Sequence, residues 1–129
     1  MKQSFVQYVV ILSLFAFGPG VEARSVKYSV ERVIKGRALF LENCIGCHGE
    51  IGDGQGPAAN AIKGPKPRNF TSGNFKRGSR PHQIFNTISN GSSGSMMPAW
   101  KEMLTEDERW SLVFYVQALG PVHKRFPDF

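Results

Sequence analysis

Residues 44–48 read Cys-Ile-Gly-Cys-His and hold both cysteines of the chain and one of its three histidines. Two cysteines separated by two residues serve three chemistries: a redox-active dithiol, half of a zinc site, or a haem attachment point with the histidine as iron ligand. The residues on either side decide among them, and that decision carries the fold with it.

Upstream, Lys2 precedes a mostly apolar stretch from Val6 to Phe17, interrupted by Gln7, Tyr8 and Ser13. Gly18-Pro19-Gly20 breaks any helix, and Val21-Glu22-Ala23 offers residues a signal peptidase reads. The run of about a dozen apolar residues is shorter than the ~20 a membrane-spanning helix needs. Residues 1–23 therefore read as a secretory signal cleaved after Ala23, with an uncleaved anchor or a buried first helix as the alternative. Cleavage leaves 129 − 23 = 106 residues, and the net charge stays at +6 because Lys2 and Glu22 cancel. A chain that small buries only a modest core, so something else is expected to complete it. Export means an oxidising compartment, yet a Cys44–Cys47 disulfide closes a very small loop and removes little entropy from the unfolded chain. A basic surface favours acidic partners, anionic membranes or nucleic acid, and export argues against nucleic acid.

From Ser29 to Asn43, Val30, Val33, Ile34, Ala38, Leu41 and the pair Gly36/Phe40 recur at helical spacing, which predicts a helix running straight into the cysteine motif. Gly36 in its interior costs ~1 kcal/mol relative to alanine, so a second helix is expected to cross closely there. Residues 49–79 are rich in Gly, Pro, Asn and Ser, and a loop that long in a small domain is expected to wrap something. Pro81 opens a short helix with Ile84, Phe85 and Ile88 on one side, and Gly91 is placed to end it. Asn90 to Ser95 is loop again and delivers Met96-Met97-Pro98. Thr105-Glu106-Asp107-Glu108 is a capping box, and Gly120-Pro121 is a stop signal. Between them Trp110, Leu112, Val113, Phe114, Tyr115, Val116 and Leu119 predict a helix buried on more than one side. The prediction is an all-α domain over residues 24–120 with three main helices, followed by a tail over 121–129.

A thioredoxin-like dithiol opens a helix after a strand, whereas this motif follows a helix and has no strand pattern near it. Structural zinc needs four ligands, and there is no second cysteine pair, nor a useful spacing between His82 and His123. Haem attachment accounts for the whole pentapeptide: Cys44 and Cys47 add to the two vinyl groups, and His48 is brought beneath the iron. A ligand for the other face is then required. Met1 is the initiator and Met103 sits in a charged segment before the capped helix, which leaves Met96 and Met97 on a loop braced by Pro98. A thioether is neutral and soft, so it favours ferrous iron and raises the reduction potential.

With these features the sequence resembles the class I c-type cytochromes, over roughly Val33 to Leu119. The likeness rests on Cys-Ile-Gly-Cys-His, on Gly36 and Phe40, on Gly56-Pro57, on Met97-Pro98, and on Leu112 with Tyr115. It implies a cytochrome c-like fold, with long Gly/Pro-rich loops wrapped around one covalently bound haem c. It further implies that Gly36 and Phe40 meet Leu112 and Tyr115 where the first and last helices cross, and it selects Met97 over Met96 as the iron ligand. The Pro57 carbonyl is expected to accept a hydrogen bond from His48, which would fix its tautomer. Arg68 and Asn69 are expected beside the haem propionates.

The implied function is one-electron transfer between redox proteins outside the cytoplasm, in the periplasm, with no substrate bond made or broken. A haem subunit of a larger respiratory or dehydrogenase complex is the alternative. A ligand-binding sensor or peroxidase-like protein is less favoured, since neither His82 nor His123 stands beside the methionine loop. Lys63, Lys66, Arg68, Lys76, Arg77 and Arg80 fall in a segment without acidic residues, which suggests a docking face for an acidic redox partner. Membrane association would come only through an uncleaved signal or a membrane-bound partner. His82 and His123 read as surface residues, and Trp100 and Trp110 as core or haem-pocket packing.

Overall fold

The computed structural model describes residues 26–121. The signal reading over 1–23, His123 and the tail beyond Pro121 lie outside them. Helix α1 spans Val30–Asn43, α2 is a single turn at Ile45–His48, α3 spans Pro81–Asn90 and α4 spans Glu106–Ala118, with a 3-10 turn at Ala59–Ala61. No strand occurs among the described residues. The three main helices fall where their capping residues predict. The Ser29 side chain accepts the Arg32 N–H at 3.3 Å. Thr105 Oγ1 accepts the Glu108 N–H at 3.3 Å while Glu108 Oε2 accepts the Thr105 N–H at 2.8 Å, a reciprocal box that satisfies two orphan donors.

Helices α1 and α4 cross at Gly36. A Cβ added there would collide with the backbone carbonyl of Ser111 and stand 2.8 Å from Tyr115 Cβ. The glycine therefore lets two backbones approach, which is the packing reason its position in a helix demands. Phe40, fully buried, lies against the Tyr115 ring at 5.2 Å between centroids, and Leu112 is 2 % exposed. Two ion pairs clasp the same crossing near the N-terminus of α4: Arg32 and Lys35 reach Asp107 at 2.8 and 2.9 Å.

The buried side of α1 is narrower than its apolar pattern. Gly36 and Phe40 are buried, with Val33 and Leu39 packed partly against the core. Val30 and Ile34 are 61 % and 64 % exposed, and Ala38 is exposed as well. The reason is geometric: α4 covers one stripe of α1, and the positions at 30, 34 and 38 lie off it. Helix α4 is buried on every side from Trp110 to Gln117, in keeping with the predicted burial on more than one side, and that burial includes polar Ser111 and Gln117. Ser111 donates to the Asp107 carbonyl at 2.8 Å, and Gln117 Nε2 donates to the Ser79 carbonyl at 2.9 Å, which ties α4 to the chain entering α3.

Candidate functional site

The cysteine motif is a continuation of α1 by one tight turn. The Cys44 N–H donates to the Phe40 carbonyl at 2.9 Å, and the His48 N–H donates to the Cys44 carbonyl at 2.9 Å. The following residues fold back onto this turn. Gly54 N–H donates to His48 O at 2.8 Å, Gly56 N–H to Cys47 O at 3.1 Å, and Ala58 N–H to Gly46 O at 2.8 Å. Gly56 has to be glycine, because a Cβ there would run into the Ile45 and Gly46 carbonyls.

Helix α2 and the chain from 62 to 78 bound a cavity of about 540 Å³, inside the range of small-ligand and cofactor sites. Cys44, Cys47 and His48 line it, together with Arg68, Asn69, Met96 and Met97; Pro57 does not. Phe70, Phe75, Ile84, Ile88, Trp100 and Val116 supply apolar surface. Residues 49–79, which the sequence marks as a wrapping loop, supply much of the wall between Ile62 and Gly78.

His48 is held on two sides. Its ring stacks on Phe70 with centroids 4.6 Å apart and planes 23° from parallel. Its Nδ1 lies 3.1 Å from a backbone carbonyl, and that carbonyl belongs to Arg68 rather than to Pro57. Loop closure is the reason: the Phe70 N–H donates to Gly52 O at 2.7 Å, which draws residues 68–70 over the motif turn. A carbonyl only accepts, so Nδ1 carries the proton and the lone pair remains at Nε2. Burial lowers the His48 pKa, opposed by the hydrogen bond to Arg68, so burial favours the neutral, metal-binding form. Burial, with the Cys47 thiol beside it, pushes the Cys44 thiol up to about 12.

The two methionines differ in setting. Met97 is partly buried and packed against the core, whereas Met96 is 71 % exposed. Met97 also lines a second, small cavity beside Phe40, Cys44, His48, Phe70 and Leu112. Met103 is 59 % exposed and absent from both linings. The loop carrying Met97 is seated on the end of α3. The Trp100 and Lys101 N–H groups donate to the Ile88 and Ser89 carbonyls at 3.1 and 3.2 Å, satisfying two acceptors that a helix C-terminus leaves orphaned.

Lys66, Arg68, Lys76 and Arg77 line the cavity, and no carboxylate does so among the described residues. Lys66 is committed locally, its ammonium donating to the Ala59 and Ile62 carbonyls, each at 3.0 Å. Asn69 Oδ1 accepts from the Thr71 N–H and hydroxyl at 2.9 and 2.7 Å, so Nδ2 is the group it has to offer a ligand. His82 is exposed and packs edge-on to Trp110 at 4.9 Å, away from the cavity lining. Trp100 lines the cavity, while Trp110 stacks on Phe85 at 4.3 Å within the core. The roles of the Arg68 carbonyl and the Phe70 ring were not read from the sequence. A backbone carbonyl has no residue-type signal, and Phe70 differs in no local feature from the other phenylalanines.

An all-helical fold over the described residues, with two thiols and an imidazole on one turn facing a largely apolar cavity, defines a c-type cytochrome domain. The donor set fits a haem held through Cys44 and Cys47. A family model described as cytochrome c oxidase, cbb3-type, subunit III matches residues 31–116, and the chain belongs to this family of c-type cytochromes. The FixP subunit of the cbb3-type cytochrome c oxidase of Azorhizobium caulinodans is 40 % identical over 86 residues, 67 % of this chain and 27 % of that one. The CcoP subunit of Azospirillum sp. (strain B510) is 34 % identical over 89 residues, 69 % of this chain and 29 % of that one. The chain thus spans less than a third of these curated relatives. Among solved structures, a chain of the Kuenenia stuttgartiensis reducing HAO-like protein complex superposes with a TM-score of 0.71 at 32 % identity, covering 74 % of this chain and 47 % of the other. Cytochrome cL from Methylophaga aminisulfidivorans superposes with a TM-score of 0.58 at 25 % identity, covering 74 % and 61 %.

Proposed function

We propose that this protein is a one-electron carrier whose single haem c is bonded to Cys44 and Cys47 and ligated by His48 and Met97. The observation that carries the reading is that Met97, from a loop some 50 residues away in sequence, lines the same two cavities as His48 and Cys44, whereas Met96 lines only the larger one and is mostly exposed. The haem would supply the iron redox couple. The chain's own residues do the rest. The Arg68 carbonyl fixes the His48 tautomer and strengthens its donation. The Met97 thioether favours the ferrous state. Phe70, Trp100 and Val116 exclude water, and the hydrogen-bonded motif turn resists movement, which keeps reorganisation on reduction small. No carboxylate and no histidine besides His48 lines the cavity among the described residues, which favours electron transfer over peroxidase-like chemistry.

Export directed by residues 1–23, with action in the periplasm, is part of this proposal. No helix among the described residues is long and apolar enough to cross a membrane. Lys76 and Arg77 at the cavity support a basic face for an acidic redox partner. A haem-bearing subunit of a larger oxidase is the second reading, favoured by the subunits the chain resembles and by the fraction of their length it spans. The same electron-transfer chemistry serves either setting.

Matured protein should show covalent haem c and, when ferric, the weak near-infrared band of a methionine–iron bond. That band should vanish in Met97→Ala and persist in Met96→Ala. Colourless protein with a reducible disulfide would instead support the dithiol reading. For docking, the Lys76→Glu/Arg77→Glu protein should transfer electrons to an acidic partner roughly tenfold more slowly at low ionic strength. An unchanged rate removes the docking face.

A further inference from the structure

Met96 and Met97 are neighbours of the same chemistry in unequal settings. Both line the larger cavity, but only Met97 also lines the smaller one and packs against the core, whereas Met96 is 71 % exposed; a slip of one residue in the loop would exchange them. The loop runs between two anchors. On one side Gly91, at φ +75°, caps α3 beneath the Met97–Ala99 backbone, where a Cβ would stand 2.7 Å from Met97 O. On the other side, Trp100 and Lys101 bond the α3 carbonyls. Between the anchors, the Ser95 hydroxyl donates to Ser92 O at 2.7 Å and accepts the Met97 N–H at 3.2 Å. The Ser95 N–H donates to the same Ser92 carbonyl at 3.0 Å, and the Ser92 N–H donates to Met97 O at 3.3 Å. Residues 92–97 thus close into a ring, and the Ser95 hydroxyl is the only side chain of the ring that bonds within it among the hydrogen bonds described.

We infer that Ser95 is a positioning residue that sets the register of this loop and so makes Met97, and not Met96, the methionine seated against the core beside His48. The inference rests on the ligand reading above. The hydroxyl satisfies the Met97 N–H without adding bulk to the cavity wall, which Ser95 itself lines. Replacing it by a methyl group leaves that donor without its partner in a loop that Gly91 and Gly94 already make easy to reshape.

The test uses haem-loaded protein and titrates the ferric near-infrared methionine band with imidazole, which competes for the iron when the methionine dissociates. In Ser95→Ala the midpoint imidazole concentration should fall roughly two- to tenfold, the worth of one net hydrogen bond, at unchanged covalent haem content. Ser95→Thr keeps the hydroxyl and should restore the wild-type midpoint. Ser93→Ala alters an exposed serine of the same loop whose carbonyl, not hydroxyl, faces Arg77, and it should titrate like wild type. A wild-type midpoint in Ser95→Ala overturns the inference, as does an equal fall in Ser93→Ala. Failure of the ligand reading is distinguishable, because it appears in proteins that retain Ser95, as a band removed by Met96→Ala and kept in Met97→Ala.

Discussion

The two regions that meet at the cavity are built in opposite ways. The attachment wall is local: Cys44, Cys47 and His48 stand on one turn, and the hydrogen bonds that stiffen it come from residues 49–58 immediately downstream. The methionine wall is borrowed: residues 92–97 close a small ring of their own, and that ring is seated on the end of α3 through Trp100 and Lys101. A site assembled this way separates two tasks. On the proposed ligand set, the first wall would fix the cofactor whether or not the second is in place, and the second would select the ligand without bearing the covalent load.

The largest expected effect breaks the local wall. Gly56→Ala puts a Cβ into the Ile45 and Gly46 carbonyls, a clash with backbone that no rotamer relieves. A cost of about 1–3 kcal/mol in stability is expected, because overpacking must displace the turn. Covalent haem incorporation, read from the absorbance of denatured protein, should fall sharply, and normal loading would show that the turn is not closely held by residues 54–58.

A lesion of similar origin in the other wall should read differently. Gly91→Ala combines a left-handed backbone with a Cβ 2.7 Å from Met97 O, at a cost of about 1–3 kcal/mol. Covalent haem should remain near wild-type levels while the near-infrared methionine band weakens or disappears. If both signals fall together, the two walls are not independent.

The smallest effect touches the helix crossing beneath both walls. Asp107→Asn removes the ion pairs to Arg32 and Lys35, exposed interactions worth about 0.2–1 kcal/mol each. The Lys35 hydrogen bond, ahead of the Arg32 and Lys35 charges, holds the Asp107 carboxyl below the usual range. A depressed folded-state pKa contributes stability that is present above the unfolded value and is lost as pH falls through the folded one. The wild-type advantage over Asp107→Asn in thermal unfolding should therefore be seen at neutral pH and shrink as the solution is acidified below the carboxylate range. Neither the haem content nor the methionine band should change.

The legible parts of this protein are those in which residue type and short spacing carry the physics. Ser29, Pro81, Gly91 and the Thr105 box set helix limits because the groups they satisfy lie within a turn. Gly36 announced a helix crossing because only a close neighbour justifies a glycine there. The apolar pattern of α1 misled at Val30, Ile34 and Ala38, since periodicity describes a face without saying how much of it a partner covers. Pro57 was expected to provide the carbonyl for His48, and Arg68 provides it instead; main-chain carbonyls are chemically alike, and which one arrives depends on how the loop closes.

By itself the sequence determined the all-α class, the three main helices and a five-residue motif whose donor atoms suit covalent haem attachment, because each rests on interactions within a few residues. The tertiary structure decided which stripe of α1 is covered, which carbonyl orients His48, and that Met97 packs against the core while Met96 stays mostly exposed. Those outcomes depend on contacts between segments 20 to 75 residues apart, whose approach is governed by loop closure and core packing rather than by the identity of any one residue.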